Sequence, residues 1–132
     1  MLKLNDAALL RDAAYVDGEW RQAKSGARFA VTNPATADVL AQVADLAEQD
    51  VREAIEAANR AWGPWRSKTA KERAALMRRW YELMMAAQDD LGALMTAEQG
   101  KPLAESKGEV AYGASFIEWF AEEGKRVYGD VI

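Results

Sequence analysis

Residues 98–108 read EQGKPLAESKG, and this segment decides how the second half of the chain folds. The run Gly100-Lys101-Pro102 looks like the end of a phosphate-binding loop. Such a loop needs several upstream glycines and a Ser or Thr after the lysine, where this chain has Pro102. Gly100 instead suits the left-handed position that closes a helix, and Pro102 suits the first turn of the next helix. The segment therefore predicts a helix end followed directly by a helix start.

Towards the C-terminus, the pattern predicts one long helix from Leu103 to about Tyr128. Three glycines, Gly108, Gly113 and Gly124, weaken it by about 1 kcal/mol each relative to alanine. We expect compensation from the close approach of a neighbouring backbone or from a surface that this chain lacks. The expected buried side of the helix comprises Val110, Ala114, Ile117, Phe120 or Ala121, and Val127.

Towards the N-terminus, the hydrophobic period predicts three more helices. Residues 48–61 have an apolar stripe opposite charged positions, and Gly63-Pro64 is expected to end that helix. Thr69 and Glu72 form a capping box that opens a helix over about 70–87. A short helix then runs from Asp89-Asp90 to about residue 98. The expected apolar stripes are Val51, Ala54, Ile55, Ala58 and Trp62 in the first helix, and Leu76, Trp80, Leu83, Met84 and Ala87 in the second.

The first third of the chain has the signals of short strands. Residues 13–43 are rich in Val, Tyr, Trp and Phe between turn residues, which predicts strands near 14–16, 19–21, 29–32 and 39–43. Asp17-Gly18 suits a two-residue hairpin turn, in which both central residues take positive φ. The expected fold is mainly α with an N-terminal β-hairpin and short strands, an α+β arrangement with strands in 1–45 and helices in 46–132.

The amino-acid composition excludes several kinds of catalytic and metal site. The 132 residues carry a net charge of −4 and contain no Cys and no His. Thiolate nucleophiles, Ser-His-Asp and Cys-His pairs and imidazole or thiolate zinc sites are therefore excluded within this sequence. The sequence has no basic stripe of the kind that nucleic acid requires, and it has no apolar run long enough to span a membrane. We expect a cytoplasmic protein with neither nucleic acid nor membrane as a partner.

Two groups of charged residues could suggest chemistry. Glu118, Glu122, Glu123 and Lys125 could be acid–base groups, but their helical spacing favours a solvated helix face. Asp89-Asp90 with Glu98 could surround a hard cation, but helix-start roles are favoured and no EF-hand spacing is present.

Aromatic residues are the other notable feature. The five tryptophans at 20, 62, 65, 80 and 119 predict core packing, with an exposed interface as the alternative. Tyr112, Phe116, Trp119 and Phe120 share one face at helical spacing. That face is expected to be core, with the lining of an apolar substrate passage as the minority interpretation.

Six segments together resemble the N-terminal portion of the NAD(P)-dependent aldehyde dehydrogenase family, and within it the bacterial succinate-semialdehyde dehydrogenases most. The resemblance covers nearly the whole chain in order. The segments are VDGEW (16–20), VTNPAT (31–36), DVREAIEAANRAW (50–62), TAKERAALMRRWYELM (69–84), TAEQGKPLAESKGEV (96–110) and SFIEWFAEEGKRVYGDVI (115–132).

The resemblance implies a parent enzyme of α/β fold in which this chain is an incomplete part, 1–132, of the coenzyme-binding domain. In that family a cysteine thiolate attacks the aldehyde, hydride passes to NAD or NADP, and a glutamate-activated water cleaves the thioester. The cysteine, the glutamate, the oxyanion-hole asparagine and the Gly-rich coenzyme turn have no counterpart in this sequence. No catalytic or cofactor-binding residue is therefore carried over, and no bound cofactor is expected for this segment alone.

Two sites follow from the resemblance only. The long helix passes near the aldehyde entrance in the family, which makes Tyr112, Phe116 and Trp119 candidates for the substrate passage. Some members hold a monovalent cation between the carbonyl before the Asn-Pro pair and an acidic residue before Gly-Lys-Pro. Val31 and Glu98 lie near those positions.

Two hypotheses of different class remain. In the first, the chain is a segment of a succinate-semialdehyde dehydrogenase, inactive alone, whose partner is the remainder of the enzyme. In the second, it is a non-catalytic helical module that self-associates through apolar helix faces. The abrupt end at Gly129-Asp130-Val131-Ile132 favours the first.

Overall fold

The computed structural model describes residues 2–130 and 132 and confirms a mainly helical chain with short N-terminal strands. A 3-10 turn, Ala7–Leu9, precedes the regular elements, and the Asp6 side chain caps it. The elements are β1 (Ala14–Val16), β2 (Glu19–Arg21), β3 (Arg28–Thr32), β4 (Val39–Ala44), α1 (Glu48–Ser67), α2 (Ala70–Ala86), α3 (Gln88–Gln99) and α4 (Leu103–Glu123).

The strands form two separate antiparallel pairs, β1 with β2 and β3 with β4. Asp17 and Gly18 turn the first pair with φ angles of 54° and 83°, which confirms the hairpin turn expected from the Asp-Gly pair. Two ion pairs connect this region to α1. Asp17 in the hairpin turn pairs with Arg60 at 3.1 Å, and Lys24, just after β2, pairs with Glu53.

The corner between α3 and α4 is the helix end and restart that the sequence predicts. Gly100 has a φ of 83° and donates its N–H to the Thr96 carbonyl at 2.9 Å. Pro102 lies immediately before α4, one residue earlier than expected, and its carbonyl accepts from the Ser106 N–H at 3.1 Å. A Cβ on Gly100 would lie 2.9 Å from Cγ of Pro34, so the β3–β4 turn abuts this corner.

The start of α2 confirms the capping box. Thr69 accepts the Glu72 N–H at 3.2 Å, and Glu72 accepts the Thr69 N–H at 2.7 Å. The hydrogen bond from the Thr69 backbone also holds the pKa of Glu72 below its usual value. Two donors of the first turn are thus satisfied from within the sequence.

The packed part of the chain is the contact of α4 with α2 and α3. Gly92 allows the closest approach, because a Cβ there would lie 2.8 Å from Cγ of Lys107. Ser106 is fully buried and shares a 2.8 Å hydrogen bond with Thr96 between α3 and α4. The buried apolar residues are Ala23, Ala57, Ala74, Val110, Ala114 and Ala121. Five alanines and one valine make a small core for a chain of this length.

Two predicted helix ends are wrong. Helix α1 continues through Gly63-Pro64 to Ser67, because its last turn is exposed and water can satisfy the carbonyl that the proline leaves free. Helix α4 ends at Glu123 rather than near Tyr128. After Gly124 the chain tightens into i to i−3 hydrogen bonds, from Lys125 to Glu122 at 3.1 Å and from Arg126 to Glu123 at 2.9 Å.

We expected a closely packed neighbour to offset the helix destabilisation by the α4 glycines, and the described residues contain none at Gly108 or Gly113. The space that a Cβ would take on Gly108 or Gly113 holds no atom within 4 Å. Val127, predicted to be buried, is exposed, and Ala121 rather than Phe120 lies in the core. The hydrophobic pattern of α4 correctly predicted the face that packs on α2 and α3. It was wrong for Val127, which lies beyond the end of α4.

The prediction that the tryptophans form a core is also wrong. Four of them, at positions 20, 62, 80 and 119, have about half or more of their surface exposed, and only Trp65 is partly buried. The α1 stripe is open as well, with Val51, Ile55 and Trp62 all exposed. Most apolar stripes of the helices therefore face away from the small core. No helix in the described residues is long and apolar enough to cross a membrane.

Candidate functional site

One face of α4 carries the residues that the sequence marks as substrate-passage candidates. Val110 and Ala114 turn inward and are buried, whereas Tyr112, Phe116 and Trp119 are 66%, 46% and 63% exposed. Tyr112 and Phe116 pack edge to face with ring centroids 4.9 Å apart. The expectation that this stripe is core is therefore wrong, because the helix packs through its small residues and presents its aromatic ones outward.

Phe116 and Trp119 also line an open groove of about 730 Å³ between α2 and α4. Phe120 joins them on its apolar floor, and Arg78 of α2 and Arg126 stand at its edge. Tyr112 lies one turn away on α4 and reaches the groove only through its contact with Phe116. The structure thus brings two of the three candidates together in a concave apolar surface.

The charged residues that line the groove form ion pairs with one another or with Lys125, which lies just outside the lining. Arg78 forms an ion pair with Glu118 across α2 and α4, Lys125 pairs with Glu122 at 2.9 Å, and Arg126 pairs with Glu123 at 3.1 Å. The hydrogen bond from Lys125 holds the pKa of Glu122 below its usual value. A general acid at neutral pH needs the opposite shift. The structure supports a charged helix face rather than acid–base chemistry.

The candidate cation residues lie on two elements that approach each other. Val31 is half-buried in β3 beside the irregularity between Val31 and Thr32, and Glu98 is exposed in the last turn of α3. The contact of Pro34 with Gly100 joins these two regions. A cation held by Val31 and Glu98 remains a prediction. Within residues 2–130 and 132, no group of three or more His, Cys, Asp or Glu could hold a metal ion.

Asp90 has a role that sequence reasoning missed. Its buried carboxylate accepts the backbone N–H of Asn5 at 2.8 Å, the Asn5 side-chain amide at 3.0 Å and the Asp6 N–H at 2.8 Å. These backbone hydrogen bonds, first from Asn5 and then from Asp6, lower the pKa of Asp90. No local signal indicates this tie, because the partners lie 84 and 85 residues away along the chain. Asp89, by contrast, is exposed and pairs with Lys107 at 2.8 Å.

The arrangement can bind apolar groups, but it presents no nucleophile for covalent aldehyde chemistry. The chain has no thiol and no imidazole. The carboxylates at the groove form ion pairs, and the hydrogen bond from Lys125 keeps the pKa of Glu122 below its usual value. The described surface has a concave groove, exposed aromatic side chains and charged residues in ion pairs.

The sequence model of the aldehyde dehydrogenase family matches residues 20–132. The glutarate-semialdehyde dehydrogenase of Pseudomonas putida is 59% identical over 131 residues, and so is the succinate-semialdehyde dehydrogenase [NADP(+)] of Escherichia coli K12. Each alignment covers 99% of this chain and 27% of the relative. A solved structure described as an E. coli NADP dependent enzyme superposes with a TM-score of 0.96 at 59% identity, over 98% of this chain and 27% of that one.

The chain therefore belongs to the aldehyde dehydrogenase family. It corresponds to the N-terminal portion of these oxidoreductases and spans about a quarter of the length of the relatives named above. The resemblance to bacterial succinate-semialdehyde dehydrogenases is confirmed, and an enzyme named for glutarate semialdehyde matches equally well.

Proposed function

We propose that this chain is a supporting part of an NAD(P)-dependent enzyme that oxidises a short carboxylated aldehyde, succinate semialdehyde first, and that it is inactive alone. The proposed substrate class rests on the names of similar enzymes. The proposed inactivity rests on the absence of a thiol and an imidazole from the chain. Glutarate semialdehyde is the nearest alternative substrate. A cytoplasmic location belongs to the same proposal.

The observation that carries the proposal is the amount of surface left open. The chain exposes 9670 Å². A compact monomer of this mass exposes about 6,900 Å², so the excess is roughly 40%. The exposed residues include large apolar side chains such as Ile55, Trp62 and Trp119. A surface of this kind fits a part that packs against further protein, here the remainder of the parent enzyme.

The corner at Gly100-Lys101 does not have the geometry of a phosphate loop. The Gly100 amide is bonded to the Thr96 carbonyl, and the position of a Cβ on Gly100 lies against Pro34. Neither the amide of Gly100 nor the space beside it is open to a phosphate. The proposal therefore assigns coenzyme binding, and the hydride chemistry that it supplies, to the remainder of the parent.

In the parent, the exposed aromatic face of α4 would line the aldehyde passage. Tyr112, Phe116 and Trp119 would contact the alkyl part of the substrate and keep water out, which is the use that apolar linings have in small-molecule sites. Val31 and Glu98 would hold a monovalent cation in the same proposal. Neither role requires these residues to take part in bond breaking.

A chimera tests the proposal directly. This chain would replace the matching 131 residues of the E. coli succinate-semialdehyde dehydrogenase, and NADP⁺ reduction would be followed with succinate semialdehyde. We expect an active chimera, because the chain is 59% identical to the segment that it would replace. A folded chimera of native oligomeric size without activity would contradict the proposal.

The role of the aromatic face needs a finer measurement within that chimera. Phe116→Ala should raise KM for the aldehyde with a smaller effect on kcat, since it removes binding and no reacting group. Phe29→Ala on strand β3 is a matched control, because Phe29 is 51% exposed and does not line the groove. An equal effect of both substitutions would remove the assignment of a substrate passage.

The second candidate function, a self-associating helical module, is favoured by the same open apolar faces. It requires no catalytic group and no cofactor. The two candidates differ in the chimera, where only the first predicts turnover.

A further inference from the structure

The corner where α1 ends and α2 begins has a separate apolar groove of about 470 Å³. Trp62 is 58% exposed there, and Trp65 is partly buried. Tryptophan is among the residues most enriched at the energetic centres of protein interfaces. This Trp62 groove is lined by Ala58, Ala61, Trp62, Pro64, Trp65 and Lys68.

Positive charge is concentrated at the same corner. Residues 60–73 contain five cations and one anion, in a chain whose net charge is −4. The anion, Glu72, is held in the capping box of α2 by the backbone N–H and the hydroxyl of Thr69. One cation, Arg60, pairs with Asp17. The segment therefore has a local excess of positive charge that its own carboxylate does not neutralise.

Three of the other cations have no carboxylate partner. Arg66, Lys68 and Lys71 form no ion pair in the part of the chain that the structure describes. Arg73 instead donates to the Lys68 carbonyl across the corner. Lys68 and Lys71 lie at the N-terminal end of α2, where the helix dipole favours anions, so helix electrostatics do not account for them. The corner thus combines unpaired positive charge with an apolar groove.

We propose that the Trp62 groove binds a segment of a separate protein in which an aliphatic side chain is flanked by carboxylates. The aliphatic side chain packs against Trp62 and Trp65, and the carboxylates approach Lys68 and the cations next to it in the sequence. Opposite charge on the two sides speeds their encounter and fixes the orientation of the segment. The proposal goes beyond the proposed function, because the partner is not the remainder of the parent enzyme.

The amount of charge favours an acidic protein segment over a membrane or a nucleic acid. Segments that bind anionic lipid headgroups have clusters of about four to eight Lys or Arg. A nucleic acid presents a dense row of phosphates, which a chain of net charge −4 repels outside this corner. The few unpaired cations match the few carboxylates that one short peptide segment presents.

A labelled peptide tests the contact on both the purified chain and the chimera. The probe is a fluorescein-labelled peptide of leucines flanked by glutamates, and its control has glutamines in place of the glutamates. By fluorescence anisotropy, we expect the acidic probe to bind both proteins and the glutamine probe to bind about tenfold more weakly or less.

Equal binding of the two peptides, or no binding of either, would overturn the proposal. So would binding to the chain but not to the folded chimera, since the remainder of the parent would then cover the groove. Turnover by the chimera plays no part in this measurement, so failure of one proposal leaves the other intact.

Substitutions of tryptophan locate the contact. Trp62→Ala should raise the Kd of the acidic probe by about tenfold or more, which is the scale of an interface hot spot, and Trp62→Phe should restore most of the affinity. Trp119→Ala is the matched control, because Trp119 is 63% exposed in a groove whose arginines are already paired. It should leave Kd within about twofold. A larger effect of W119A than of W62A, with both variants folded by circular dichroism, would contradict the assignment.

Substitutions of lysine test the role of charge. Lys68→Gln and Lys3→Gln each remove one positive charge, but Lys3 is exposed and does not line the groove. K68Q should weaken binding of the acidic probe by about threefold at low ionic strength, and by less in high salt. An equal effect of K3Q would overturn the proposal. Tighter binding of a single-stranded oligonucleotide or a phosphatidylserine vesicle than of the acidic probe would overturn it as well.

Discussion

At the scale of single residues, the buried carboxylate of Asp90 determines how the N-terminal segment is held. Its pKa in the folded chain lies below the ordinary 3.8, because backbone hydrogen bonds from Asn5 and Asp6 favour the charged form. The stabilisation is therefore fully present above 3.8 and is lost as the pH falls through the lower folded pKa. Acid should release this segment before it affects the contacts of α4.

We expect Asp90→Asn to lower the urea midpoint of unfolding near neutral pH, because one amide oxygen cannot accept all three hydrogen bonds. The deficit relative to the unchanged chain should shrink as the pH falls below 3.8. Asp89→Asn is the matched control, since Asp89 is 72% exposed and its pair with Lys107 should contribute little. If the urea midpoint of D90N stays below that of the unchanged chain by the same amount at every pH, the contact of Asp90 with Asn5 and Asp6 does not depend on the charge of its carboxylate.

Gly100 is a second residue whose effect can be isolated. Both Gly100 and Gly26 have positive φ, but a Cβ on Gly26 meets open space whereas one on Gly100 meets Pro34. Gly26→Ala should lower the free energy of unfolding by about 1 kcal/mol for the left-handed backbone alone. Gly100→Ala should cost about 1 to 3 kcal/mol more, as overpacking does. Chemical denaturation gives both values, and equal losses would mean that the Pro34 contact is not tight in solution.

At the scale of elements, α4 shows what the isolated chain lacks. Gly113 lies within the helix with open space at its Cβ position. Gly113→Ala should raise the free energy of unfolding of this chain by about 1 kcal/mol, through helix propensity. In the chimera the same substitution should lower the melting temperature, because the remainder of the enzyme would occupy that space. A gain in stability in both settings would show that nothing approaches this face of α4.

Local signals predicted most elements, whereas burial and long-range contacts could not be read from them. The Thr69 capping box, the Asp17-Gly18 turn and the left-handed Gly100 depend on neighbours within a few residues, so the sequence is sufficient. The exposure of Trp119 could not be predicted, because an apolar helical stripe looks the same whether its cover lies within the chain or outside it. The role of Asp90 needed the tertiary structure, since Asn5 and Asp6 lie far along the chain.

At the scale of the whole molecule, a small alanine-rich core supports helices whose aromatic faces remain open. The accessible area of 9670 Å² is about 40% more than a compact monomer of this mass would show. Together with a match to 27% of the length of its relatives, this describes the N-terminal part of an oxidoreductase of the aldehyde dehydrogenase family. The groups that would carry out the oxidation belong to the rest of the parent in our proposal.

The most direct measurement is turnover by the purified 132-residue chain with succinate semialdehyde and NAD⁺ or NADP⁺, before and after treatment with iodoacetamide. Because the chain has no cysteine, alkylation cannot inactivate it, and any activity that alkylation removes belongs to a contaminating host enzyme. The account predicts no dinucleotide reduction beyond that contaminant. Reduction that persists after alkylation and increases with the amount of chain would contradict it.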